Sequence, residues 1–189
     1  MQFFTSAIAL AIIGFVSAAP VPDSACTPET EAPSNIIWPG TTSQYEVSTG
    51  AVLFGTAFGR ISKNGKTTDI TTLLTFDFPE DSAGKICSFH FDLDESAAVS
   101  GSAQFDVFTS LAPAEGNRTS WPSGNLRDQH IGRMTATTEG AATWVAGFPT
   151  FGQGFLCPAG QTYGGELVGA GDSVLIEWSA RYSGPYIKY

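Results

Sequence analysis

A chain of 189 residues with 18 acidic and 9 basic side chains, a formal charge of −9 and an isoelectric point near 4.5 has room for one domain with a tail. That charge excludes electrostatic binding to nucleic acid or to anionic lipid, both of which need a surplus of Lys and Arg. A charged fraction of only 14% beside 12% aromatic residues also excludes a disordered, solvating polymer, since this much apolar surface collapses into a core.

The first 18 residues carry no charged side chain, and their apolar run from Ala7 to Val16 is about half of what spans a bilayer. Val16 and Ala18 supply small residues at positions minus three and minus one, so residues 1–18 read as a signal peptide cleaved before Ala19. Residues 19–43 hold Pro20, Pro22, Pro28, Pro33 and Pro39 with little apolar periodicity, which predicts an extended leader. The folded domain is expected over 44–189. No later run approaches the length of a membrane span, and the closing GPYIKY lacks the spacer and tail of a lipid-anchor signal. Release from the cell is the expected fate.

From residue 44 onward, short alternating runs are separated by turn residues, and no segment keeps an apolar helical stripe for three turns. The clearest strand is 87–93, with Cys87, Phe89, Phe91 and Leu93 on one face and Ser88, His90 and Asp92 on the other. Val174, Ile176 and Trp178 alternate likewise against Ser173, Glu177 and Ser179, with Leu175 the one apolar residue on the polar face. Weaker runs cover 45–58, 69–78, 102–109, 130–136, 143–148, 162–168 and 186–189. Asn64-Gly65, between Lys63 and Lys66, is the signal of a two-residue hairpin loop. About nine short strands predict an all-β fold, a two-sheet antiparallel sandwich.

Export makes the three cysteines disulfide candidates rather than zinc or redox ligands. Cys87 and Cys157 lie in strand-like sequence, whereas Cys26 sits in the leader, so the internal pair is preferred and one internal disulfide is expected. Such a bridge closes a 70-residue loop, worth roughly 4 kcal/mol by chain entropy. Cys26 is then odd, to be capped by a small thiol, joined to another molecule, or the true partner of one of the other two. Asn117-Arg118-Thr119 is an N-glycosylation sequon beside Gly116 and Trp121-Pro122, in what reads as an exposed loop.

Constellations with chemical potential are sparse. Ser88, His90 and Asp92 share a strand face, but alternate residues sit ~6.6–7 Å apart along a strand, too far for the contacts of a catalytic triad, and a solvated polar face is expected. Gly171-Asp172-Ser173-Val174 echoes an esterase nucleophile block, but no His follows it, so it reads as a turn. The acids Asp77, Glu80, Asp81, Asp92, Asp94 and Glu95 lack the Gly and Glu spacing of a calcium loop and read as a solubilising face. His90 and His130 have no partners at zinc-ligand spacing, and neither Gly152-Gln153-Gly154 nor Gly169-Ala170-Gly171 extends to a nucleotide fingerprint. No catalytic residues, metal or cofactor are therefore expected. Trp38, Trp121, Trp144, Trp178 and five tyrosines offer material for a sugar-stacking platform. A polar stretch with Trp121, Arg127, Asp128, Gln129 and His130 is the candidate ligand loop.

Taken in order, residues 75–93 (TFDFPEDSAGKICSFHFDL), Ser100-Gly101-Ser102, residues 155–178 (FLCPAGQTYGGELVGAGDSVLIEW) and the terminal GPYI resemble a fungal domain family. It is the C-terminal domain of the ubiquitin-three-binding protein, the But family. The resemblance covers most of 44–189 and implies the same pairing of Cys87 with Cys157. The family is named for a member that binds the neddylation activating enzyme, whereas many relatives carry signal peptides and look like secreted or cell-wall proteins of filamentous fungi. Residues 121–134 depart from the pattern in being more polar and more charged. The combined expectation is a secreted, non-catalytic β-sandwich with a structural or interaction role at the cell wall. Its expected partners are wall polysaccharide or an extracellular protein, in the alternative as a carbohydrate-binding or effector-like module. A hydrolase, or a binder of the neddylation activating enzyme, is the remoter alternative.

Overall fold

A computed structural model describes residues 35–114, 126–148 and 154–189. The signal segment, most of the leader with Cys26, the Asn117 sequon and Trp121 lie outside these described residues. In chain order the strands are β1 Ile36–Ile37, β2 Thr41–Glu46, β3 Ala51–Leu53, β4 Phe58–Lys63, β5 Ile70–Asp77, β6 Ile86–Leu93, β7 Ala98–Gly101 and β8 Gln104–Ser110. They continue as β9 Arg127–Thr135, β10 Gly140–Ala141, β11 Thr143–Trp144, β12 Phe155–Leu156, β13 Thr162–Gly169, β14 Val174–Ser179 and β15 Gly184–Lys188. Among the described residues the only helical element is the 3-10 turn Glu80–Ser82, and no helix is long and apolar enough to cross a membrane.

Two antiparallel sheets form a sandwich. The smaller runs β1-β15-β6-β10, with β12 also on β6; the larger runs β11-β9-β8-β13-β5-β4-β14-β7, with the β2–β3 hairpin attached through β2 to β5. Strand period decides what meets between them. From the smaller sheet Phe89, Phe91, Leu93 and Ile187 point inward, and from the larger Leu74, Phe76, Phe105, Val107, Leu167, Ile176 and Trp178 face them. Phe91 is the hub, its ring 4.8 Å from that of Phe105 and 5.1 Å, edge-on, from Trp178. β5 is central and buried along almost its whole length, its threonines included, because it is covered on both faces: Leu74 and Phe76 enter the main core, and Leu73 joins a second cluster with Val52 and Ala114.

The disulfide joins Cys87 and Cys157, with Cα atoms 5.1 Å apart, as expected for the internal pair. It fastens the segment entering β13 of the larger sheet to β6 of the smaller one. β12 adds to the same junction, Phe155 pairing with Cys87 and Leu156 with Ile86.

The structure departs from the alternation pattern in several places. The 45–58 run is not one strand: turns at Gly50 and Gly55, both at positive φ, divide it into β2, β3 and the start of β4. Asn64-Gly65 does not close a two-residue hairpin. Strands β4 and β5 meet only at Ser62 and Ile70, across a six-residue loop in which the Asn64 Oδ1 accepts from the N–H groups of Lys66 and Thr67 and from the Thr67 hydroxyl. The reason is that β2 takes up most of the β5 edge, pairing from Thr41–Thr75 to Glu46–Ile70. β1 and the start of β2 are already in the sheets ahead of residue 44. The polar stretch read as a ligand loop is, from Arg127 onward, the long strand β9.

Candidate functional site

The outer face of the smaller sheet carries an aromatic shelf. Its members come from three segments that pairing brings side by side: β6 presents Ser88, His90 and Asp92, β15 presents Tyr186 and Lys188 in direct register with His90 and Ser88, and Trp38 follows β1. Both β6 and β15 turn their apolar alternate residues into the core, so their polar and aromatic ones must face outward. The His90 and Tyr186 rings stack at 5.2 Å with planes 14° apart, and Trp38 lies tilted over the other side of Tyr186 at 5.0 Å. Tyr186 is thereby buried, whereas Trp38 remains 47% exposed. The Lys188 ammonium sits 5.5 Å from the Tyr186 ring.

The polar groups around the shelf are fixed. The Tyr186 hydroxyl donates to Asp92 Oδ2 at 2.7 Å. Burial, then that bond and the carboxylate charge, push the phenol well above the ordinary tyrosine range, so it stays a donor. Ser88 Oγ and His90 Nε2 are hydrogen-bonded at 2.8 Å. Burial, reinforced by Lys188 and opposed by Asp92, holds the imidazole below its ordinary value, which keeps it neutral at physiological pH.

The Ser88–His90 contact corrects the expectation from strand spacing. Backbone positions two residues apart are too distant for a hydrogen bond, but the imidazole spans the gap by leaning along the strand. The hydrogen bonds do not form a triad: His90 is bonded to Ser88, and Asp92 to Tyr186, 94 residues away in sequence.

The candidate residues on β9 lie in the larger sheet and form a second polar network. The Arg127 guanidinium makes two 2.9 Å hydrogen bonds to Glu166, and the same carboxylate accepts from the Thr71 hydroxyl at 2.7 Å. Arg133 grips Asp106 through two 2.8 Å bonds, and His130 Nε2 reaches Asp106 at 3.1 Å. Burial alone would raise the Asp106 pKa, but Arg133, joined by His130, outweighs it and holds the carboxyl below the ordinary range. Glu166 likewise raises the Arg127 pKa. Among the described residues the Asp128 carboxylate meets the Thr109 hydroxyl, at 3.4 Å. Two register shifts between β8 and β9 explain how Arg127, His130 and Arg133 collect on one side of a strand whose strict alternation would separate them. Arg127, His130 and Arg133 are thus engaged by the Glu166 and Asp106 carboxylates rather than presented as free groups, whereas Asp128 and Gln129 are exposed.

Glu166 was not singled out from sequence. Its signal was a lone carboxylate inside the apolar β13, since a charge buried to 1% exposure requires a partner, here Arg127. The acidic residues are dispersed among separate structural roles: Asp77 accepts from Thr162, Asp81 from Tyr189, and Asp94 caps the turn at Ser96. Among the described residues no three His, Cys, Asp or Glu side chains gather as a metal would require. Ser173 leads into β14 after the Gly171 turn. Trp144 and Trp178 pack in or against the core, which leaves Trp38 as the tryptophan at the surface among those described.

A family model for the ubiquitin 3 binding protein But2 C-terminal domain matches residues 40–183. No curated protein matches the chain. The matched span contains the central strands of the larger sheet, β6 of the smaller sheet and both bridged cysteines, and ends just before β15.

Proposed function

The chain belongs to the But2 C-terminal domain family, and from that premise we propose that it works outside the cell as a non-catalytic module that binds cell-wall polysaccharide. Three features support export: the uncharged apolar N-terminus, the sequon at Asn117, and a disulfide of the kind that persists in oxidising compartments. The family description speaks of a protein that binds ubiquitin 3; a chain exported through the secretory route does not meet a cytosolic partner, so that interaction is not carried over.

The Trp38–Tyr186–His90 shelf is the observation that carries the binding reading. A sugar ring offers an apolar face of C–H groups to an aromatic plane and a rim of hydroxyls to polar neighbours. Trp38 supplies the exposed plane, while Ser88, Asp92 and Lys188 supply donors and acceptors beside it. Asp92 is hydrogen-bonded to Tyr186 and His90 to Ser88, an arrangement of paired polar groups that supports a role without catalysis.

The test is co-sedimentation of the secreted protein with insoluble β-glucan and chitin, beside Trp38→Ala. The proposal expects retention of the wild type and a loss of about tenfold in affinity for the variant. Equal retention of both proteins, or none of either at micromolar concentration, overturns it. Fractionation of culture medium, wall and cytosol tests export separately, and a cytosolic protein with its N-terminus intact overturns that part.

A further inference from the structure

Between the two sheets lies an apolar cavity of about 190 Å³. Leu74, Phe76 and Val107 line it from the larger sheet, Phe89 and Ile187 from the smaller, and Ile131 from β9. One inward position beside it carries no side chain. Along β13 the inward positions are Tyr163, Gly165 and Leu167, and Gly165 stands directly opposite Leu74 on β5. Where every neighbouring strand contributes an aliphatic or aromatic group to the core, Gly165 contributes only backbone. Tyr163 lines the cavity while keeping 44% of its surface in solvent, which places it at an opening.

A void of this size is not inert. Interiors pack to crystal density, and lining atoms that face empty space forgo their dispersion contacts. Water is a poor filler, because a buried water needs two to four polar partners. Among the described lining residues the one carboxylate, that of Glu166, belongs to the neighbouring outward-facing position and is already bonded to Arg127 and Thr71. An engineered cavity of ~150 Å³ with comparable lining stays dry and takes up a benzene-sized guest.

We propose that this inter-sheet cavity at Gly165 is a binding site for a small uncharged apolar molecule about the size of a single aromatic ring. The surrounding rings favour such a guest by edge-to-face contact, as Phe78 already makes with Tyr163 at 5.9 Å and with Phe155 at 6.3 Å. Among the described lining residues a charged guest finds no unpaired counter-charge, and its desolvation would oppose entry. The site is separate from the aromatic shelf, which occupies the opposite face of the smaller sheet, so each stands or falls without the other.

Titration of the full chain with toluene, followed by methyl NMR, tests the assignment. Saturable shifts are expected at Leu74, Val107, Ile131 and Ile187, together with a rise in Tm. Gly165→Leu, which places a side chain in the void, is expected to abolish the shifts. Should that variant fail to fold, Ile131→Phe fills the same space from β9 with the same expected loss. Sodium benzoate at neutral pH carries the same ring with a charge and is expected to leave the methyl signals unmoved. Non-saturable shifts in the wild type, an unchanged toluene isotherm in a folded cavity-filling variant, or benzoate binding as tight as toluene would each overturn the proposal.

Discussion

Arg127 on β9 and Glu166 on β13 form a two-pronged ion pair across the intervening β8, with both hydrogen bonds at 2.9 Å and the carboxylate only 1% exposed. Removing the guanidinium leaves a buried charge with the Thr71 hydroxyl as its remaining partner. Arg127→Ala is expected to cost about 3 kcal/mol, at the low end for breaking a buried pair because Arg127 itself keeps 39% of its side chain in solvent. Arg127→Ala combined with Glu166→Leu should recover most of that loss, since no charge is then stranded. Urea unfolding of the two variants measures the difference, and equal destabilisation would contradict this account.

Thr72 substitutes for a missing stretch of ladder. Its hydroxyl accepts from the Arg60 N–H at 2.9 Å and donates to the Arg60 carbonyl at 2.7 Å, bridging β4 and β5 beyond their single backbone pair. Thr72→Val keeps the shape and removes both bonds, leaving two backbone groups without that partner. The expected cost is about 1–3 kcal/mol in denaturant unfolding, and Thr72→Ser should restore most of it. A valine variant as stable as wild type would show that the bridge carries no weight.

His90 sets a pH dependence with a defined sign. Its folded-state pKa lies below the ordinary 6.5, mainly through burial. Between those two values the unfolded chain holds the extra proton, so stability rises with pH across the window just below 6.5 and is lost as pH falls through the folded value. Unfolding free energies at several pH values from 5 to 7.5 should therefore fall toward the acid side in wild type. His90→Gln should flatten that slope. An identical slope in the variant would assign it to another group.

The Cys87–Cys157 bridge restrains a 70-residue loop of the unfolded chain. Replacing both cysteines by Ala is expected to lower stability by about 4 kcal/mol, partly offset if the unfolded chain retains structure. Comparison of oxidised wild type with the double variant by calorimetry is the direct measurement. A drop of less than about 1 kcal/mol would mean that the bridge adds little beyond the pairing of β12 with β6.

Gly184 holds a backbone at φ +107, and a Cβ there would fall within the indole ring of Trp178. Trp178 is 1% exposed and cannot retreat. Gly184→Ala is thus expected to cost about 3 kcal/mol or more through combined strain and overpacking. Trp178→Phe in the same background should recover part of it by vacating the space. A Gly184→Ala protein with wild-type Tm would refute the proposed close packing.

What was legible in the sequence was whatever the two-residue period of a strand dictates. Alternation in 87–93 and 174–179 sorts Phe89, Phe91, Ile176 and Trp178 to the core and Ser88, His90 and Asp92 to the outside, whichever strands become their neighbours. The cysteines' placement in patterned sequence sufficed for the bridge, and the ordered motifs from Thr75 to Ile187 sufficed for the family. Tertiary structure alone decided the partners. That Asp92 serves Tyr186 rather than His90, that Trp38 covers Tyr186, that Glu166 is buried against Arg127, and that Gly165 faces a void all depend on which distant strands lie side by side. The physical reason is that a side chain's face follows from local backbone geometry. Strand neighbours are instead chosen by the packing of the whole sandwich and by the bulges that shift register between β8 and β9.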